Sequence, residues 1–189
     1  MPVLTAAVVV LTVLVLLNLA LTGAVIRRLR VDAAAAGGLR ESASGVVPTP
    51  LDLPVGAVVP PFAAAGEDGE ILTRDDLLGA RTLVAFSSTT CAACVTQAPG
   101  LVAESELLAG QGIVVVPVLV GEDDTHDLAA KLRPAGPLVR EPHGGPCSAA
   151  FGLRGTPSYA LVGPDARVLA AGLVLADVVS AGATTTATR

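Results

Sequence analysis

The segment "RTLVAFSSTTCAACVTQAPG", Arg81 to Gly100, sets two cysteines two residues apart between an apolar run and a stretch that can be helical. "RTLVAFSS" has the length and apolar character of a buried strand. From Ala92 to Ala109 apolar residues recur at helical spacing, and Gly110 and Gly112 end the segment. A strand that runs straight into a CxxC at a helix amino terminus leaves three readings of Cys91 and Cys94. They are a redox pair, half of a metal site, or two buried cysteines that happen to be close.

The segments on either side alternate in kind. "AVVPPFAAAGEDGEIL" reads as two short strands joined at Glu67-Asp68-Gly69. In "TRDDLLG", Thr73 can cap a short helix that Gly79 stops. "IVVVPVLV" is apolar and β-branched almost throughout, as expected of a strand covered on both faces. "DDTHDLAAKL" predicts a capped helix starting near Asp124, and "SAAFGLRG" a short helix and turn before Thr156-Pro157. "SYALVG" and "ARVLAAGLV" read as strands joined at Pro164-Asp165, with "LADVVSAG" as a last short helix. Strands alternating with helices, then a closing hairpin, predict an α/β fold: a mixed sheet with helices on both faces.

The amino-terminal part is of another kind. Val3 to Ile26 contains no charge, and Asn18 is its one strongly polar side chain. As a helix this run would extend about 36 Å, more than the ~30 Å hydrocarbon core of a bilayer. It lacks the polar stripe of a core helix. Met1 and Pro2 supply no basic start for a cleaved signal, and the run is too long for one. The expectation is a transmembrane anchor over 3–26 that contacts the lipid bilayer. A basic flank and flexible linker follow over 27–50, a folded domain over 51–180, and a disordered tail over 181–189. From Leu51 onward acids outnumber bases, so the domain carries no electrostatic footprint for nucleic acid.

In a strand–helix junction, unpaired N–H groups and the helix dipole favour a thiolate at Cys91. The two-residue spacer brings Cys94 one turn further on, near enough for a disulfide to form and break. The amino-terminal cysteine is then the attacking thiol and the second resolves the mixed disulfide. Such chemistry needs no cofactor and no metal.

The CxxC after an apolar strand, followed by "FGLRGTPSYALVGPDARV", resembles the thioredoxin superfamily over roughly Leu51 to Val174. That resemblance implies a thioredoxin-like mixed sheet flanked by helices. It implies a cis peptide bond before Pro157, packed against the disulfide, and a backbone at Thr156 that pairs with the substrate chain. The hairpin ahead of the CxxC is similar to the membrane-tethered TlpA/ResA branch. "FSSTTCAACVTQAP" is most similar to the methylamine-utilisation D-type proteins. Three positions depart from or match the wider pattern. Thr90 stands where most thioredoxins have tryptophan, Gln97 where many ResA-like proteins have glutamate, and Pro99 matches the family's helix-kinking proline.

Other readings compete. Cys91, Cys94, His143 and Cys147 spell CxxC followed by HxxxC, a zinc ligand set on paper, but structural sites usually come from short paired knuckles. His126 and His143 read as ordinary histidines, without the CxxxC of copper delivery. Cys147 reads as a small buried hydrophobe or as a third redox partner. A tethered thiol peroxidase of the redoxin type would carry a proline and a threonine where Val84 and Ser88 stand, and would not need Cys94. A redox-inert binding module would leave the cysteines incidental.

The resemblance implies a domain outside the cytoplasmic membrane, where disulfides are handled. Arg27, Arg28 and Arg30 argue for the cytoplasmic side. The partners implied are protein thiol or disulfide substrates, an apo-cytochrome among them. A membrane electron donor of the thiol-transporting type would serve a reductant, and a quinone-linked acceptor an oxidant.

Overall fold

Two apolar runs, at Leu83–Phe86 and Val115–Val118, become adjacent strands in a five-stranded sheet whose order is β5-β4-β3-β6-β7. The computed structural model describes residues 50–124 and 126–186. The elements are β1 (Ala63–Ala65), β2 (Ile71–Thr73), β3 (Arg81–Ser88), α1 (Ala92–Ala109), β4 (Ile113–Val120), α2 (Leu128–Leu132), β5 (Val139–Glu141), α3 (Pro146–Phe151), β6 (Ser158–Val162), β7 (Val168–Gly172) and α4 (Leu175–Thr186). β3 pairs parallel with β4 and β4 parallel with β5, whereas β3–β6 and β6–β7 are antiparallel. The expected α/β architecture with a closing hairpin is therefore present.

The alternation of side chains along each strand divides the core in two. Leu83, Ala85, Val115, Leu119 and Leu161 face one side, where α1, α2 and α4 cover them with Leu101, Leu108, Leu128, Leu132 and Val178. Val84, Phe86, Val116, Val118 and Val162 face the other, beneath Phe151 of α3 together with Leu51, Val59, Ala64 and Leu77. The chain has three phenylalanines, and all meet on this second face. Phe151 packs edge-on against Phe86 at 5.3 Å and against Phe62 at 6.4 Å between ring centroids. Such edge-to-face pairs add to area burial because ring edges are positive and faces negative.

The β1–β2 hairpin turns at Gly66–Glu70, with Gly69 at a φ of +88°. Its second strand leads into a 3-10 turn, Arg74–Leu77, where the Asp76 carboxylate accepts from both the amide and the hydroxyl of Thr73 at 2.7 Å. Asp124 caps the next helix from a distance. Its carboxylate accepts from the amides of Leu128 (2.8 Å) and Ala129 (2.7 Å), and Asp127 takes a left-handed conformation between them. The helix therefore begins at Leu128 rather than near Asp124.

Two expectations about the ends meet the structure differently. α4 runs to Thr186, so residues 181–186 are helical where a disordered tail was expected from 181. Gly182 packs directly on Leu161, and tertiary contact rather than propensity holds this end. The proposed anchor, 3–26, and the linker as far as residue 49 lie outside the described residues. Among the described residues no helix is long and apolar enough to cross a membrane.

Candidate active site

β3 carries the chain through the middle of the sheet and releases it at Ser88, fully within the core until Thr89. Cys91 is the N-cap of α1, in extended conformation, with its amide bonded to the Ser88 carbonyl at 3.0 Å. Cys91 and Cys94 are joined as a disulfide with Cα atoms 5.2 Å apart. Cys91 is partly exposed, whereas Cys94 is 2 % exposed and faces the α1 side of the core.

The electrostatics of this junction favour negative charge on the outer sulfur. The amide of Cys94 donates to Cys91 Sγ at 3.1 Å. The first turn of α1 contains no acidic residue to oppose the positive end of the helix dipole. Charge on the Cys91 sulfur of the reduced pair therefore meets an N–H donor and a helix amino terminus together. Ser88 and Thr90 share a hydroxyl–hydroxyl bond of 3.2 Å just before the cysteine.

The β3–β6 register decides what lies opposite. Phe86 pairs with Ser158, so the residues before Ser158 extend toward the end of the sheet at which β3 delivers Cys91. Those residues are Thr156 and Pro157, joined by a cis peptide bond. Thr156 lines one cavity with Ser88 and Thr90, which brings the two loops together. Among the described residues the main-chain N–H and C=O of Thr156 make no hydrogen bond.

The loop that presents Thr156 is held from two directions. Upstream, the buried Glu141 carboxylate accepts from the amides of Cys147 (2.9 Å) and Ser148 (2.6 Å), which anchors the start of α3. Alongside, residues 50–53 zip onto it: Asp52 and Leu53 donate to the carbonyls of Gly152 and Phe151, and Arg154 donates to that of Pro50. The Arg154 guanidinium also pairs with Asp52. Three residues after Cys94, Oε1 of Gln97 accepts from the hydroxyl of the buried Tyr159 at 2.8 Å. Gln97 is thus a neutral partner of a neutral phenol, and burial pushes the Tyr159 phenol further up. None of these contacts is signalled by local sequence, because each joins distant segments. Only the Pro146 that opens α3 hints at a helix start needing an upstream acceptor.

Cys147 is fully buried, and burial, with Glu141 beside it, pushes its thiol well up. Its environment disfavours a thiolate. His143 lies on the rim of the cavity that Thr156 lines. Among the described residues no three His, Cys, Asp or Glu side chains converge as metal ligands.

No protein-family model and no curated protein matches this sequence. Solved structures do. The thioredoxin domain of a thiol-disulfide oxidoreductase from Bacteroides vulgatus is 19% identical, with a TM-score of 0.60, over 70% of this chain and 98% of that one. A secreted disulfide oxidoreductase of Mycobacterium tuberculosis, homologous to E. coli DsbE, is 16% identical, with a TM-score of 0.53, over 65% and 95%. A thiol:disulfide interchange protein from a Bacteroides species is 19% identical, with a TM-score of 0.52, over 63% and 81%. The described part of this chain has the thioredoxin-like fold that these thiol-disulfide oxidoreductases share.

Proposed function

We propose that this protein is a membrane-anchored thiol-disulfide oxidoreductase that exchanges disulfides with protein substrates through Cys91 and Cys94. One observation carries the reading: the pair is joined at a helix amino terminus, the outer sulfur accessible and accepting an N–H, the inner one buried. In the reductive direction, the Cys91 thiolate attacks one sulfur of a substrate disulfide. The substrate's second sulfur leaves as a thiolate and takes up a proton. Cys94 then loses its proton, attacks the Cys91 sulfur and releases the first substrate sulfur as a thiol. One substrate disulfide is reduced as one protein disulfide forms; oxidation of substrates is the same path reversed. The main-chain groups of Thr156, beside Pro157, make no hydrogen bond among the described residues and are where an extended substrate segment pairs.

Sequence supports the finer reading. The hairpin ahead of the CxxC is similar to the TlpA/ResA branch, and the stretch Phe86 to Pro99 resembles its methylamine-utilisation D-type proteins, which supports that reading. The uncharged run 3–26 serves as the anchor. The domain lies outside the cytoplasmic membrane, against the pull of Arg27, Arg28 and Arg30, because a disulfide exchanger has its work in an oxidising compartment. There it exchanges electrons with a membrane thiol donor or a quinone-linked acceptor. A peroxidase reading gains nothing from the structure, since it gives Cys94 no role.

The test is a redox titration of the full-length protein in detergent micelles, poised in graded glutathione buffers, alkylated, and counted by mass at each cysteine. Cys91 and Cys94 titrating together as a two-electron pair sustain the proposal, and the midpoint assigns the direction. Separate titration, or a pair that stays reduced with bound zinc, overturns it.

A further inference from the structure

The end of the sheet opposite Cys91 carries a groove of about 690 Å³. β3 enters there at Arg81 and leaves at Ser88, so roughly 23 Å of strand lie between this groove and the cysteine end. Val55, Ala80, Pro164 and Leu169 make the walls largely apolar. The same walls hold two cations, Arg81 and Arg167, against one acid, Asp165. They are thus net positive in a domain whose acids outnumber its bases. Arg167 is satisfied within the fold: Nη1 donates to the Gly56 carbonyl at 2.8 Å, and Nε lies 3.4 Å from the Asp165 carboxylate. Arg81 is not. It is half-buried, and among the described residues its side chain makes one bond, from Nη2 to the Gln111 carbonyl at 2.9 Å. Every other described arginine has a described carboxylate within 4.0 Å, and Arg81 has none. Two more apolar side chains extend the surface, because Val58 bridges to Arg167 and Leu78 to Asp165. Val55, Leu78 and Val58 are 59%, 47% and 42% exposed. One exposed aliphatic side chain is ordinary, whereas three around one turn form a patch. The backbone here offers little to a peptide strand. Val168 already donates to Ala57 and accepts from Gly56, and Pro164 accepts from Gly79. What the groove leaves open is apolar side-chain surface beside one cation.

We infer that this groove is a binding site for a single-chain anionic amphiphile, a long-chain fatty carboxylate. Its volume falls among the clefts of about 300–1,000 Å³ that hold small molecules. The hydrocarbon chain lies against Val55, Pro164 and Leu169 and is removed from water there. The carboxylate accepts from Nε and Nη1 of Arg81, the donors that the fold leaves without a partner. An acidic peptide would share the charge but would find the main chain of this wall already bonded. The site stands apart from thiol exchange at Cys91, so it does not depend on the oxidoreductase reading above.

The experiment uses full-length protein in phosphatidylcholine nanodiscs, so that no detergent competes for the groove. The probe is hexadecanoic acid with a diazirine in its chain, added in alkaline buffer that keeps the carboxylate charged. After irradiation the protein is digested, and the labelled peptides are identified by mass. Label should appear on the peptides that hold Val55 and Leu169, saturate with probe, and be displaced by unlabelled hexadecanoate. The matching diazirine alcohol, which has no charge, should label the same peptides about tenfold less, the worth of one charge-assisted hydrogen bond. Arg81→Gln should bring the carboxylate probe down to the level of the alcohol, and Arg81→Lys should keep most of the labelling. An unchanged circular dichroism spectrum and urea midpoint check that both variants fold. Equal labelling by the two probes, or labelling that Arg81→Gln leaves intact, would mean that the patch merely touches the bilayer, and overturns the inference. No label in the groove, whether it is empty or covered by a second copy or another protein, overturns it too. The redox titration of Cys91 and Cys94 is separate, and neither result decides the other.

Discussion

The carboxylate of Glu141 accepts the amide of Ser148 at 2.6 Å inside the core, while its other oxygen takes the amide of Cys147. A buried acid is costly unless its oxygens are bonded, and here the two amides at the start of α3 supply the bonds. α3 leads straight to Thr156-Pro157, so this acid sets the position of that loop through backbone alone. Glu141→Ala leaves two buried N–H groups without acceptors and should cost roughly 3 kcal/mol, measured as a lowered urea midpoint. A midpoint within experimental error of wild type would show that water replaces the carboxylate.

The two active-site cysteines should not be equivalent. Cys94→Ser removes the resolving thiol, so mixed disulfides between Cys91 and partner proteins should accumulate on non-reducing gels. Cys91→Ser should trap none, because the remaining sulfur is buried. The reverse pattern would exchange the two roles.

Cys147 should be inert in the native state. Its thiol is fully buried and held neutral by that burial and by Glu141. Iodoacetamide at pH 8 should label Cys91 in the reduced protein and leave Cys147 unmodified, with Cys147 labelled only in denaturant. Mass spectrometry of the digested protein reads this directly. Rapid native labelling of Cys147 would mean that α3 opens readily.

Acid should weaken the fold through three carboxylates held below their ordinary values. The Arg133 guanidinium, which Glu67 accepts bidentately at 2.7 and 2.8 Å, lowers Glu67 from 4.5. The hydroxyl and amide of Thr73 lower Asp76 from 3.8. For Asp124, burial works against ionisation, but the amides of Ala129 and Leu128 and the charge of Arg140 together prevail and lower it from 3.8. Each group binds a proton more readily unfolded than folded, so its contribution is present above the unfolded value and is lost as pH falls through the folded one. The urea midpoint should fall from about pH 4 downward, with Asp76→Asn and Asp124→Asn flattening the decline. Because these groups are largely solvated, each effect should be small. A midpoint that does not change between pH 5 and pH 3 would rule them out as contributors.

The sequence makes the cysteine pair legible for a local reason. A buried strand, a two-residue spacer and a helix amino terminus are contiguous, so their residue types describe the junction without knowledge of the rest of the fold. The unbroken apolar run Leu83 to Phe86 likewise announces a buried strand, and "IVVVPVLV" one covered on both faces. Thr156-Pro157 is legible only through family resemblance, since nothing local to "RGTPSY" says that it reaches the end of the sheet that holds Cys91.

Tertiary structure decided what surrounds that pair. The β3–β6 register, set by two segments some seventy residues apart in sequence, carries Pro157 to the end of the sheet at which β3 delivers Cys91. That the helix runs on through 181–186 is not legible in "AGATTT", where glycine and threonines weaken the helical signal; in the fold Gly182 sits on Leu161. Glu141 under α3, Tyr159 on Gln97 and the Asp52–Arg154 latch escaped the sequence for one physical reason. A hydrogen bond or ion pair between distant segments leaves no periodicity in either of them. It exists only once hydrophobic burial, which does leave a periodicity, has brought the two segments together.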